Sequence, residues 1–411
     1  MIQRFKRHAA GCVTLEVEPY GGGLWHTWFD RDLSISGRVM LRSSSGQVEA
    51  RLVRVDRPVL RVPTLCIHLQ TADEREAFKV HKEDHLRPIL ACIADDTLGA
   101  SATGAAEAQP ETSAELSLAA AAASELSAAA GAESYGWSGG QEPLLLQLIA
   151  EELQVPVERI ADFECSLYDT QPASLSGARS EFLCSARIDN LASCFAATEA
   201  LVNHASAPEL LARDADVSLI ALFDHEEVGS GSAVGAGSPI MSEAVRRISV
   251  ALSRESTAMD EDALAAALRR SFVLSADGAH AVYPNYANKH QSNHGPLMNR
   301  GVVIKSNQNQ RYASSGVTSF LVRELARRAG LPPPQEFAVR NDCPCGSTIG
   351  PIISANTGMR AVDVGMPQLS MHSIREVMGV ADLTHGLDLF TAFFTHFRDV
   401  DQMLKEDGTS A

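Results

Sequence analysis

Four places in the 411-residue chain carry side chains that can hold a metal ion or move a proton. They are Asp189 in Arg187-Ile188-Asp189-Asn190, the pair Glu226-Glu227 in Asp224-His225-Glu226-Glu227-Val228-Gly229-Ser230, Asp277 with His280, and His372 in Met371-His372-Ser373. Carboxylate and imidazole donors suit zinc, and also cobalt or manganese. A carboxylate shared by two such ions would reduce their repulsion and place a bridging water where both ions lower its pKa. Adjacent glutamates can take separate roles. One binds metal, while the other, raised by the like charge beside it, accepts a proton near neutrality. Each feature has a plainer reading as well. A glutamate pair after a strand suits a solvated surface, an aspartate at a strand end suits a helix cap, and a single histidine suits ordinary hydrogen bonding. The spacings form no local motif, so residue types alone leave both readings open.

Each of these residues stands at or just beyond an apolar run, before a helix or a Gly-rich turn. Val217 to Phe223 is a nearly continuous apolar run ending in Asp224, and Phe272 to Ala276 ends in Asp277. Val302 to Lys305, Phe337 to Val339 and Ala361 to Val364 are further short strand candidates. Helical patterns lie at Leu191 to Asn203, Met241 to Leu252, Asp260 to Arg270, Val317 to Arg328 and Ala381 to Arg398. Short apolar strands separated by helices predict an α/β fold with a mostly parallel central sheet flanked by helices. Ligands in such sheets gather outside the carboxyl ends of strands, where these acids stand.

The front of the chain reads differently. Gly11 to Glu18 alternates as a strand, and Leu33 to Leu41 with Gln47 to Val55 form a hairpin joined through Ser43-Ser44-Ser45-Gly46. Leu65 to Gln70 reads as one more short strand, His85 to Ile93 as a helix, and Glu142 to Leu153 as an amphipathic helix. Fifteen alanines fall within residues 99–134, a low-complexity insertion with no stable apolar stripe and no expected chemistry. The expected division is a β-rich domain over residues 1–155, containing that insertion, and a catalytic α/β domain over residues 156–411. Trp25, Trp28 and Phe29 read as packing anchors.

Composition bounds what such a chain can do. With 45% apolar and 21% charged residues it can bury a sizeable core, and global disorder is not expected. The net charge of −16 comes from 35 basic against 51 acidic residues, and eleven of the acids lie between Arg87 and Arg159, where no base occurs. The rest is close to balanced. With no basic stripe, neither nucleic acid nor an anionic membrane surface is an expected partner. No apolar span is long enough for a transmembrane helix, and no signal-peptide core follows Met1. The eight cysteines form no disulfide framework, and Cys343 and Cys345 lack the two-residue gap of a redox or zinc-knuckle motif. A cytoplasmic setting is expected.

Longer motifs add a resemblance. Tyr20-Gly21-Gly22-Gly23-Leu24-Trp25 with Thr27-Trp28-Phe29-Asp30-Arg31-Asp32-Leu33, Arg187-Ile188-Asp189-Asn190, and the Asp224 to Ser230 stretch are similar to signatures of the aspartyl aminopeptidase family. So are Ser275-Ala276-Asp277-Gly278-Ala279-His280, Lys305, Gln310-Arg311-Tyr312-Ala313-Ser314, Asn341-Asp342-Cys343-Pro344-Cys345-Gly346, and Pro367-Gln368-Leu369-Ser370-Met371-His372-Ser373-Ile374-Arg375-Glu376. The likeness spans nearly the whole chain except the Ala-rich insertion. It implies a two-zinc exopeptidase that removes an N-terminal Asp or Glu from peptides. It also implies a β-rich dimerisation domain beside the catalytic domain, with dimers assembling into a homo-oligomeric dodecamer. By this resemblance Asp189 would bridge the metals, Glu227 and His372 would complete one site, Asp277 would belong to the other, and Glu226 would be the general base. His68, in Ile67-His68-Leu69-Gln70, would reach a neighbouring subunit's active site and hold the substrate or its developing oxyanion. His280, Lys305 and Tyr312 would line the pocket. The residue-level reading of Lys305 agrees in kind. A cation at a buried strand end is costly unless it meets an anion, such as a substrate carboxylate, although snorkelling or a protein acid would also account for it.

One departure stands out. The family's Gly-Ala-His-Thr-Asp-Ser-Pro motif, whose histidine binds the metal that Asp277 holds, has no equivalent in this sequence. The expectation is an intact three-donor site at Asp189, Glu227 and His372. Its partner site, with Asp189 and Asp277 alone, is expected to hold a second zinc weakly or not at all. An incomplete N terminus is the expected cause. The rival expectations are a non-catalytic assembly subunit keeping one metal site and a related two-metal amidase.

Overall fold

The computed structural model describes residues 2–92, 140–252 and 261–404. The Ala-rich insertion at 99–134 lies outside the described residues. The chain forms two compact units, Met1–Pro19 with Trp28–Gln171, and Tyr20–Thr27 with Pro172–Ala411.

The first unit holds strands β1 (Ile2–Ala9), β2 (Cys12–Val17), β3 (Leu33–Arg42), β4 (Val48–Arg54), β5 (Ile89–Cys92) and β6 (Ile160–Asp169). They form two antiparallel sheets, ordered β1-β2-β5 and β4-β3-β6. Leu33, Ile35, Val39 and Leu41 of β3 are fully buried, the period-two face of a central strand. The β3–β4 hairpin closes through Gly46 at φ +81°, whose N–H donates to the Ser43 carbonyl at 3.0 Å. The helix Pro143–Leu153 begins with proline in its first turn and buries Leu145, Ile149 and Leu153 at a four-residue spacing.

Three local expectations change here. Because β6 pairs with β3 from Leu33↔Asp169 to Leu41↔Ile160, the first unit runs to Gln171 rather than ending at residue 155. Leu65 to Gln70 is not a strand but contains the 3-10 turn Ile67–Leu69. Leu65, Ile67 and Leu69 are 46–71% exposed, so their alternation has no core to face. His85 to Ile93 is not a helix. Pro88 has no N–H and pushes its predecessor out of helical geometry, so the short helix Lys82–His85 gives way to β5.

The second unit carries β7 (Ser174–Ser176), β8 (Phe182–Ser185), β9 (Phe272–Ala276), β10 (Ala279–His280), β11 (Val303–Ser306), β12 (Gln335–Ala338), β13 (Arg360–Gly365), β14 (Pro367–Leu369) and β15 (Glu376–Gly379). One sheet runs β12-β11-β13-β9, with parallel outer ladders and an antiparallel β11–β13 pair. The other runs β10-β14-β15-β8-β7 and is parallel only at β10–β14. Helices Ile188–Ala205, Gly316–Arg328 and Val380–Asp401 bring Ala196, Val322 and Leu389 onto Ile304, Val362 and Val364 of the first of these sheets. The fold is α/β. Val217 to Phe223 joins no ladder among the described residues, and Val217 and Leu222 are 56% and 59% exposed. An apolar run without a pairing partner does not make a strand.

One close approach sets the position of a candidate site residue. A Cβ added at Gly365, at the end of β13, would strike the Asp277 carbonyl oxygen and lie 3.0 Å from the Ala279 nitrogen. The Asp277 and Ala279 N–H groups donate to the Val364 and Met366 carbonyls, each at 3.0 Å. The bare glycine lets the segment after β9 lie flat against β13, which delivers Asp277 to the sheet's carboxyl edge. Among the described residues, no helix is long and apolar enough to cross a membrane.

Candidate metal centre

Asp189, Glu227 and His372 converge in the second unit, with one donor atom from each lying within 4.8 Å of the others. His372 Nε2 is 3.2 Å from Glu227 Oε2 and 3.7 Å from Asp189 Oδ2. Tetrahedral zinc with N and O ligands separates neighbouring donors by about 3.3 Å. Two oxygens and one imidazole nitrogen near this spacing, with a position left open, therefore fit a catalytic zinc. Asp277 adjoins the group through a hydrogen bond with Asp189.

Sharp backbone turns aim these donors. Asp189 follows Arg187 at φ +58°, Glu226 and Glu227 form a 3-10 turn after His225 at φ +60°, and His372 itself sits at φ +66°. Asn190 Nδ2 donates to the Ala276 carbonyl at 2.8 Å, tying the Asp189 turn to the end of β9. Tyr20–Thr27 closes over the same loops. The Leu24 N–H donates to the His372 carbonyl at 2.9 Å, and Gly21, at φ +70°, leaves room for the Glu227 carbonyl oxygen 2.7 Å from where its Cβ would be.

Sequence reasoning missed the group that joins two of the candidate ligands. The buried Glu376 carboxylate accepts the Asp189 N–H at 2.9 Å on one oxygen and the His372 N–H at 2.8 Å on the other. A signal was there, because a glutamate opening the otherwise uncharged strand Glu376–Gly379 needs a partner when buried. Asp363 was missed too. Fully buried on β13, it accepts the Thr348 hydroxyl and the Ala313 N–H, both at 2.6 Å, and so holds the turn that carries Tyr312.

Charge decides the state of this site. Burial, then the negative charges of Asp277, Glu227 and Glu376, hold the Asp189 carboxyl far above the carboxylate range. Its proton is shared with Asp277. Burial works to raise Asp277 as well, but the Lys305 ammonium and the hydrogen bonds from Asp189, Lys305 and Gly278 bring it below its ordinary value. Lys305 Nζ lies 2.9 Å from Asp277 Oδ2 and 5.4 Å above the Tyr312 ring, so its partner is a protein acid. Burial, then Asp277 and Glu227, push Glu226 up to about 7. The hydrogen bond to Glu227 raises His372 to about 9. Burial, with Lys305 next, lowers His280 to about 4, which keeps that ring neutral against Phe337. His68 lies in the first unit, exposed on the Ile67–Leu69 turn.

Residues 3–394 match the family described as Aminopeptidase I zinc metalloprotease (M18). The chain belongs to this M18 aminopeptidase family. A probable aspartyl aminopeptidase of Ricinus communis is 44% identical over 97% of this chain and 78% of its own length. The aspartyl aminopeptidase of Dictyostelium discoideum is 40% identical over 98% and 80%. Among solved structures, a chain from the Ape4 and Nbr1 complex superposes with a TM-score of 0.84 at 36% identity, covering 98% of this chain and 70% of that one. The mApe1 dodecamer of S. cerevisiae gives 0.76 at 30%, covering 98% and 78%. The chain is thus a metal-dependent aminopeptidase by family, and the three converging donors suit the zinc that the M18 family carries.

Two measurements test this centre. Zinc binding must displace protons, because Asp189 and His372 are both protonated at neutral pH in the metal-free chain. Affinity therefore rises with pH, by a slope of about two in log K per pH unit between roughly pH 6 and 8. Calorimetry in buffers of different ionisation enthalpy reads the released protons directly, and a pH-independent affinity contradicts the assignment. In Glu376→Gln one backbone N–H meets an amide donor instead of an oxygen. Zinc affinity, read by competition with a chelating dye, falls roughly 10–100-fold, and an unchanged affinity shows that the clamp is irrelevant to the ligands.

Proposed function

We propose that this M18 aminopeptidase removes an N-terminal aspartate or glutamate from peptides. Zinc is held by Asp189, Glu227 and His372, while Asp189 and Asp277 offer donors to a second ion, and cobalt or manganese can substitute. The observation that carries this reading is the buried Lys305 ammonium beside Asp277, next to the donor cluster and within reach of Glu226's electric field. A cation there rewards a substrate that brings its own carboxylate.

When bound, the metal supplies Lewis acidity, polarising the scissile carbonyl and making the attacking water more acidic. Glu226, raised to about 7, takes a proton from that water and returns it to the leaving amine. Lys305 meets the substrate's side-chain carboxylate, and the Tyr312 ring beneath it fixes its direction. Neutral His280 forms a pocket wall without adding a second cation. An apolar first residue would leave Lys305 desolvated without a substrate partner, which is the source of selectivity. His68, exposed on the first unit, is assigned to a neighbouring subunit's substrate or oxyanion, in a homo-oligomer built through that unit. The S. cerevisiae relative is a dodecamer, which supports a homo-oligomer. Its place of action is assigned to the cytoplasm, where thiols stay reduced.

Chromogenic amides of Asp, Glu and Leu, with N-acetylated controls, test the reading on the zinc-loaded chain. The acidic amides turn over, the acetylated ones do not, and chelation stops turnover until zinc is restored. Glu226→Gln keeps its zinc and loses kcat by roughly 10²–10⁴-fold. Lys305→Met lowers kcat/KM for the Asp amide about 100-fold relative to the Leu amide. Equal turnover of Asp and Leu amides by the unaltered chain rejects the acidic preference. Zinc-loaded protein with no turnover of any amide supports a non-catalytic subunit instead.

A further inference from the structure

We propose that Cys12 and Cys92 form a reversible disulfide on exposure to a low-molecular-weight disulfide, making the seam between β2 and β5 a redox-responsive clasp. The two residues are direct partners in the antiparallel ladder, at the first position of β2 and the last of β5. Directly opposed residues in such a ladder have Cα atoms about 4.5–5.5 Å apart and side chains on one face. That separation lies inside the range of roughly 4.4–6.8 Å that a disulfide spans. The two thiols are near enough for Cys92 to raise Cys12. Because Cys12 opens β2 directly after the turn at Ala10 and Gly11, the backbone there can adjust without breaking interior pairs. The other end of the same seam is fastened separately. The Leu15 N–H donates to the Pro88 carbonyl at 3.0 Å, and Arg87 Nε meets Glu16 Oε2 at 3.2 Å. An S–S bond would fasten the opposite end.

Accessibility sets the order of events. Cys92 is exposed and Cys12 only partly so, and burial together with the neighbouring Cys92 raises the Cys12 thiol. The Cys92 thiolate attacks one sulfur of glutathione disulfide, forming a mixed disulfide and releasing one glutathione thiol. Cys12 then gives up its proton, attacks the Cys92 sulfur, and displaces the second glutathione. In sum, two protein thiols are oxidised to one disulfide while one small disulfide is reduced to two thiols. The remaining cysteines lack this arrangement. Cys165 is buried, with its thiol pushed up to about 12, and it lies opposite Gly37. Cys66 is exposed, but it lies outside every ladder and so has no opposed thiol. Among the described residues, which include all eight cysteines, Cys12 and Cys92 alone are opposed in register.

The test incubates the full chain with glutathione disulfide, blocks free thiols with N-ethylmaleimide, and maps peptides without reduction. The expected product is a chain lighter by two hydrogen masses, with the Cys12 and Cys92 peptides linked within one chain and separated again by dithiothreitol. Cys12→Ser stops at a stable glutathione adduct on Cys92, because the resolving thiol is gone. Three results would each overturn the proposal. These are a persistent glutathione adduct on Cys92 in the unaltered chain, a link from either cysteine to any other thiol or chain, and no reaction at Cys92. The mapping of the unaltered chain decides the matter even where a variant fails to fold.

Discussion

Negative charge crowded out of water is the constraint around which the second unit is built. Burial, then Asp277, Glu227 and Glu376, raise Asp189, and burial, then Asp277 and Glu227, raise Glu226. Two unit charges 4 Å apart in such surroundings repel by about 4 kcal/mol at an effective dielectric of 20. A chain of this kind folds only if something positive answers the cluster. Three partners do so here: a proton held by Asp189, the His372 imidazolium against Glu227, and the Lys305 ammonium against Asp277. Glu376 is answered differently, by backbone N–H groups that cannot leave. The exchangeable answers lie where a metal and a substrate are wanted, and the permanent one lies behind them.

The backbone shows the same division. Arg187, His225 and His372 adopt the left-handed region that non-glycine residues avoid, at a cost of roughly 1–2 kcal/mol each. Such turns persist only where surrounding bonds over-determine them. Here they are the Asn190 bond to the end of β9, the Ser230 N–H returning to the His225 carbonyl at 2.8 Å, and the Glu376 clamp on His372. Each turn puts its ligand at the rim rather than along a strand, so donors from three distant stretches of sequence face one point.

Much of this frame was legible in the chain's pattern. The β3–β4 hairpin, β9 with Asp277 at its end, β11, β13 and the long helices follow from period and run length, because burial on one or two faces dictates both. What escaped depends on partners far along the chain. Val217 to Phe223 has the composition of a strand, but pairing rather than composition makes a strand. Leu65, Ile67 and Leu69 alternate without a core to receive them. Pro88 marks the change from helix to strand, and the apolar pattern around it does not show that change. Lys305 was legible as a cation needing an anion, yet only the fold could say that the anion is Asp277. Glu376 and Cys92 are the extreme cases. A glutamate opening an uncharged strand signals only that some partner is needed, and Cys92 carries no local signal; their roles arise from backbone groups and a thiol brought close by the fold.

The Lys305–Asp277 pair links the two halves of the proposed reaction. A buried ammonium and carboxylate 2.9 Å apart neutralise each other, and removing either leaves the other uncompensated, a loss of several kcal/mol. An acidic substrate side chain competes with Asp277 for Lys305, so by itself it binds at the expense of that pair. A cation arriving at Asp277 reverses the balance, because it replaces Lys305 as the counter-charge and leaves the ammonium in need of a new anion. On the proposed reading the two events would favour each other through one carboxylate: a cation near Asp277 would strengthen the hold on an acidic first residue, and an acidic first residue would strengthen the hold on the cation. Neutral His280 matters to this exchange, since a second cation beside Lys305 would supply counter-charge unconditionally and break the dependence.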